Sequence, residues 1–133
     1  MRVRRSRTVS VPIECPPRAV YEFVVKPENL PLWATAFCRS VRQSGDEWIV
    51  ETPDGPMTIE FVRTNDLGVL DHYVSPAPGV QVFNPMRVVP NADGSEVIFT
   101  LFQPPEVSDE RFAGDAALVE RDLRTLKRVL EQR

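Results

Sequence analysis

Between Phe112 and Leu130 an apolar series runs Phe112, Ala116, Val119, Leu123, Leu126 and Leu130, spaced 4-3-4-3-4. That spacing holds them on one face of a helix and sends the intervening charges to the other. Ser108 stands ahead of the run as an N-cap, and Asp109 and Glu110 place negative charge at the positive end of the helix dipole. Val107 and Phe112 occupy the two positions of a hydrophobic staple. All 13 prolines fall between Pro12 and Pro105, so nothing interrupts a helix over 108–131. Elsewhere the period is two. Val3, Val9, Val11 and Ile13 alternate with polar residues, as a half-buried strand does. Pro16-Pro17 ends that strand and opens a short helix carrying Ala19, Val20, Phe23 and Val24, and a second short helix follows over 27–34. Apolar runs then come at 37–43, 47–52, 57–64, 69–75, 80–90 and 95–103. The turn-forming pairs Gly45-Asp46, Asp54-Gly55, Asn65-Asp66 and Asp93-Gly94 tolerate positive φ and separate several of them. The prediction is one α+β domain over residues 1–133: a strand, two short helices, six further antiparallel strands and a long C-terminal helix. A curved seven-stranded antiparallel sheet has to cover its concave face, and the C-terminal helix is the element available to lie across it.

Composition narrows the function classes. The chain has 133 residues, 42% hydrophobic and 26% charged, a globular balance. A net charge of −3 argues against nucleic-acid binding by bulk charge. The basic residues of 1–7 read as the solvated start of an edge strand. No apolar stretch is long enough for a membrane span, and none follows the basic N-terminal residues as a secretory signal would. The expectation is a cytoplasmic domain. Two cysteines and one histidine offer no zinc spacing. Neither a phosphate-cradling glycine loop nor a Gly-x-Ser-x-Gly elbow occurs. No metal and no cofactor is expected.

Three residues carry candidate chemistry. His72 is the lone histidine, a natural general base near neutral pH. Met57, Ile59 and Phe61 form an inward face, and the facing of His72 depends on the connection that follows. A four-residue loop, 65–68, puts Leu70, His72 and Val74 on that face and leaves Asp71 exposed. A three-residue loop, 66–68, turns Asp71 and Tyr73 inward instead. Arg87 interrupts an apolar strand, so its guanidinium needs an oxygen partner. That partner is either a ligand head group or enolate, or an acid such as Asp71 or Glu96. Both faces of 80–90 and 95–103 are apolar, so the outer one is either a homodimer surface or a face shielded by loops and long side chains. Trp33, Phe37, Met57, Met86 and Phe112 suit an adaptable apolar cavity, and they suit an ordinary core equally.

The segment from Val11 to Trp33 carries a family pattern. Pro17, Val20, Tyr21 and Phe23, followed by Pro27 and Trp33, resemble the opening of the START-like, or SRPBCC, superfamily. That superfamily includes plant pollen-allergen-like proteins, polyketide cyclases and dehydrases, and Hsp90-activator-like proteins. The resemblance implies a helix-grip fold with an apolar cavity between sheet and C-terminal helix. It implies no single chemistry. The pocket residues expected are Trp33, Phe37, Met57, Ile59, Phe61, His72, Met86, Arg87, Phe99, Phe112 and Ala116. The same topology would pair the strands bearing Cys15 and Cys38 and bring two reduced thiols close. Three functions follow as expectations. The first is binding of a small hydrophobic or aromatic molecule. The second is a cyclase or dehydratase in which His72 or Tyr73 moves a proton and Arg87 stabilises an enolate. The third is a protein-interaction domain with a filled interior.

Overall fold

The computed structural model describes residues 2–133. The element order is β1 (Ser6–Ile13), α1 (Pro17–Val24), a 3-10 turn (Pro27–Asn29), α2 (Leu30–Trp33), β2 (Ser40–Ser44), β3 (Glu47–Thr52) and β4 (Gly55–Phe61). There follow β5 (His72–Ala77), β6 (Val80–Asn84), β7 (Met86–Asn91), β8 (Gly94–Phe102) and α3 (Asp109–Glu131). All strand pairs are antiparallel.

The expected single seven-stranded sheet is instead eight strands in two sheets, ordered β1-β8-β7 and β2-β3-β4-β5-β6. Pro85 is the reason. It divides the run 80–90 into β6 and β7, because proline has no N–H to continue a ladder. Its carbonyl still accepts from the Thr100 amide at 3.0 Å. The strands bearing the cysteines also do not pair, since β1 lies on β8 and β2 on β3. Cys15 Sγ donates to the Leu130 carbonyl and Cys38 Sγ to the Ser40 carbonyl, each at 3.4 Å. Both cysteines are free thiols.

A second link between the sheets comes from the chain before β5. Val69 bridges Arg87, the Leu70 amide donates to the Met86 carbonyl at 2.8 Å, and the Val88 amide donates to the Gly68 carbonyl at 2.9 Å. Phe61 therefore stands opposite His72 and Ile59 opposite Val74, the register of the four-residue alternative. The ladder does not run on to a tight hairpin. Asn65 organises a wider loop, its Oδ1 accepting from the Leu67 and Val69 amides while its own amide donates to the Tyr21 hydroxyl. The last hairpin turns at Ala92-Asp93, with Asn91 opposite Gly94, two positions from the expected register. An even shift preserves the facing. Met86, Val88, Val97 and Phe99 are buried as one face, while Phe83 and Phe102 on the other are exposed and Val89 and Ile98 half-buried.

The long helix forms as its pattern requires. Ser108 Oγ accepts from the Arg111 amide at 3.0 Å, and Phe112, Ala116, Leu123, Leu126 and Leu130 are buried. Its C-terminal half is fastened to the end of β1. Lys127 Nζ donates to the Pro12 carbonyl at 2.9 Å, and Glu131 accepts from the Glu14 amide at 2.8 Å. Leu123, Leu126 and Leu130 join the core there with Ile13, Val20 and Val24. The N-terminal half stands over open space.

Gly68 tests the junction between the sheets. It has φ +71°, and a Cβ added there would fall inside van der Waals contact of the Val88 carbonyl oxygen. Gly68→Ala is expected to cost about 3 kcal/mol through left-handed strain plus this clash. A shift in urea denaturation below about 0.5 kcal/mol, within the usual range for a neutral surface change, would contradict the close approach.

Candidate functional site

Alternation in the strands builds the cavity floor. Met57, Ile59 and Phe61 of β4, His72, Val74 and Pro76 of β5, Val82 and Asn84 of β6, and Phe99 and Leu101 of β8 all line it. These sets have period two, so one face of each strand points inward, and Thr52 at the end of β3 and Phe102 at the end of β8 border the space as well. The roof is the N-terminal half of α3, through Phe112, Asp115, Leu118, Val119, Asp122 and Leu123. Leu30, Trp33, Ala34, Ala36 and Phe37 close one end, and the cavity volume is about 590 Å³. Asp54 of the β3–β4 turn and Arg111 of α3, both lining residues, are 3.5 Å apart. Arg111 also pairs with Asp115 at 3.2 Å.

Eight of the eleven expected pocket residues border this space: Trp33, Phe37, Met57, Ile59, Phe61, His72, Phe99 and Phe112. Met86, Arg87 and Ala116 do not. Met86 and Ala116 are fully buried within packed core. Arg87 points away from the cavity floor and makes the ion pair that was one of its two readings. Its Nε and Nη2 donate to the two oxygens of Asp71, each at 3.1 Å. The Met86 amide donates to Asp71 Oδ1 at 2.8 Å. Asp71, expected to be exposed in this register, is buried. Burial opposes its charge, but Arg87 and the Met86 amide outweigh it and hold the carboxyl below its ordinary value. Tyr73 packs on Phe83 with ring centroids 5.1 Å apart and does not line the cavity. Of the three catalytic candidates, only His72 does.

His72 is wrapped by aromatic rings, with Phe61 at 5.1 Å and Phe99 at 5.7 Å between centroids. Its Nδ1 lies 3.0 Å from the Leu70 carbonyl oxygen. A carbonyl only accepts, so Nδ1 carries the proton and Nε2 is the acceptor of a neutral ring. Burial lowers the imidazole pKa, against the raising effects of the Leu70 carbonyl and Asp71. Trp33 supplies the opposite polarity. Its indole N–H is buried and has no acceptor among the described residues.

Asp122 was not among the expected site residues. It is buried, lines the cavity, and its Oδ1 accepts from the Ala36 amide at 2.9 Å. Burial pushes its carboxyl up to about 6, against the lowering effects of the Ala36 and Phe37 amides and of Arg121. The same burial, with the Asp122 charge nearby, pushes the Cys38 thiol up to about 11, which keeps it unreactive. A signal existed. Asp115 and Asp122 are seven residues apart, hence on one face of α3 beside the apolar stripe. Groups of three or more metal-binding side chains do not occur among the described residues.

A long helix laid over antiparallel sheets and roofing a partly open apolar cavity defines a helix-grip domain of the START-like, or SRPBCC, type. The chain belongs to the polyketide cyclase / dehydrase and lipid transport family, whose model matches residues 4–131. Its fold is similar to XoxI from Bacillus cereus, with 22% identity, TM-score 0.73, and 93% of this chain and 94% of that chain covered. It is similar to Ara h 8.0201 at 13% identity, TM-score 0.70, with 97% and 99% covered. DynU16, of the dynemicin biosynthetic locus, matches at 20% identity and TM-score 0.68, with 95% of this chain and 47% of that one covered. No curated protein is a significant match. At these identities the likenesses are of fold. No helix among the described residues is long and apolar enough to cross a membrane.

The raised Asp122 carboxyl gives a pH prediction. The folded state holds this proton up to about pH 6, whereas an unfolded carboxylate releases it near pH 4. Between those values the folded state binds more protons, so the Asp122 contribution falls as pH rises. Asp122→Asn stays neutral and can still accept from the Ala36 amide. It is expected to match the wild type near pH 4 and to exceed it by about 2 kcal/mol at pH 7.5. Urea midpoints across that range check this, and a variant less stable at pH 7.5 would refute it.

Proposed function

We propose that the protein binds a small hydrophobic or aromatic molecule in the cavity between its sheets and α3. The observation that carries this reading is the partly open, mainly apolar cavity of about 590 Å³. Close-packed interiors leave few voids larger than a water molecule. Burying an apolar ligand there removes its surface from water at roughly 25 cal/mol per Å², and the walls are already in place. The family, described by cyclase, dehydrase and lipid-transport activities, supports a ligand of that kind.

A second reading has its own observation: His72 sets a neutral imidazole at the cavity wall with Nε2 unprotonated. A cyclase- or dehydratase-like step needs a base in such a position. Arg87 and Tyr73, offered as its partners, lie elsewhere. The interaction-domain reading asked for a filled interior, which the cavity weighs against.

Native mass spectrometry of the protein purified from its own source, with denaturing extraction, tests the binding reading. A co-purifying apolar molecule is expected, and Ile59→Trp, which fills the cavity floor, is expected to abolish it. An empty protein whose melting temperature is also unmoved by aromatic and acyl compounds would overturn the proposal. His72→Ala separates the two readings. For a binder this variant costs no more than one hydrogen bond, about tenfold in affinity, whereas an enzyme loses roughly 10²-fold or more in turnover.

A further inference from the structure

We infer that the cavity selects an uncharged ligand bearing a hydroxyl, which donates to His72 Nε2 beside Asn84, and that it rejects carboxylate amphiphiles. This inference rests on the binding reading above and adds the polarity of the ligand. Within the strand floor, the inward side chains are apolar except Thr52, His72 and Asn84, and the Thr52 hydroxyl is already committed to the Gly55 carbonyl and the Asp54 amide. His72 and Asn84 stand opposite one another in the β5–β6 ladder, which brings directly paired side chains to about 5 Å between Cβ atoms. Neither His72 Nε2 nor the Asn84 amide has a protein partner among the described residues, while Nδ1 is committed to the Leu70 carbonyl. An acceptor ringed by Phe61 and Phe99 gains most from a hydroxyl that arrives with its own apolar body, because water cannot bring one. Trp33, also a lining residue, adds a buried indole N–H without an acceptor among the described residues, suited to a ligand oxygen such as a carbonyl.

Charge supplies the second half. Three carboxylates, Asp54, Asp115 and Asp122, border the cavity against one cation, Arg111. Arg111 is already shared between Asp54 and Asp115. Arg87, expected in the pocket, is bound by Asp71 outside it. An entering carboxylate would lose its water, find no free guanidinium or ammonium, and face like charge.

Four probes of one shape decide it: 2-naphthol, 2-methoxynaphthalene, naphthalene and 2-naphthoate, measured by equilibrium dialysis against the full chain at pH 7.5. 2-Naphthol is expected to bind about tenfold more tightly than the methoxy compound, the worth of one buried hydrogen bond, and 2-naphthoate more weakly than naphthalene. His72→Phe is expected to erase the preference for 2-naphthol, and His72→Gln, which keeps an acceptor, to restore part of it. Equal binding of 2-naphthol, 2-methoxynaphthalene and naphthalene would overturn this inference while leaving the cavity reading intact. Tight binding of 2-naphthoate would overturn its charge half. No binding by any probe would overturn the inference together with the cavity reading. The wild-type ratios decide even if the variants do not fold.

Discussion

Asp71 sits where the two sheets meet, and the arrangement of the site depends on what its carboxylate holds. A buried carboxylate is costly unless its oxygens are occupied. Here Arg87 takes both oxygens and the Met86 amide takes one of them again. These contacts tie the residue before β5 to the start of β7, across the break that Pro85 makes. The chain can therefore change sheets without orphaning its backbone groups. Because side chains alternate along a strand, fixing Asp71 outward of the cavity sends its neighbour His72 inward. One ion pair thus joins the sheets and sets the facing of the only histidine.

The same economy of placement explains why a cavity survives. A void of about 590 Å³ would collapse if the helix above it were free to settle. It is not free. The C-terminal half of α3 is seated on β1 and bonded to the chain around Pro12 and Glu14. At the other end, Ser108 caps the helix and Arg111 meets Asp54 of the β3–β4 turn. Between these supports the helix is rigid over many turns, so it bridges the space below it. The exposed Arg111–Asp54 contact is worth little by itself. Its position at the cavity edge matters more than its energy.

Much of this was legible in the residues. The α3 stripe, its cap, and the inward set of Met57, Ile59 and Phe61 follow from periodicity, which reports directly on what faces water. The facing of His72 was legible only as a choice between two loop lengths, and the realised connection is neither tight loop, although it keeps the register of one. Local turn propensity could not show that Gly68 and Leu70 bond to Val88 and Met86, residues far along the chain. For the same reason the division at Pro85 was hidden inside one apolar run. A proline in such a run is compatible with an edge, a bulge or a break, and only the partners of its neighbours decide. Asp122 was missed for a different reason. A charged residue next to an apolar stripe ordinarily reaches water, and its burial depends on the loop 34–37 arriving above it with amides to donate.

Placing Arg87 outside the cavity changes what chemistry the interior can support. An enolate mechanism needs a group that stabilises negative charge as it develops on oxygen. The interior offers a neutral imidazole acceptor, a carboxyl at Asp122, and the unpartnered Asn84 amide and Trp33 indole N–H, with no uncommitted cation among the described residues that line it. Such a set favours the recognition of neutral polar groups on an apolar body over the stabilisation of an anion. If a proton transfer does occur, His72 is the base, and the Asn84 amide and the Trp33 N–H are the donors left to meet the substrate oxygen. Both are weaker electrophiles than a guanidinium. Members of one fold can differ in function through such a shift of a single charge from inside a cavity to outside it.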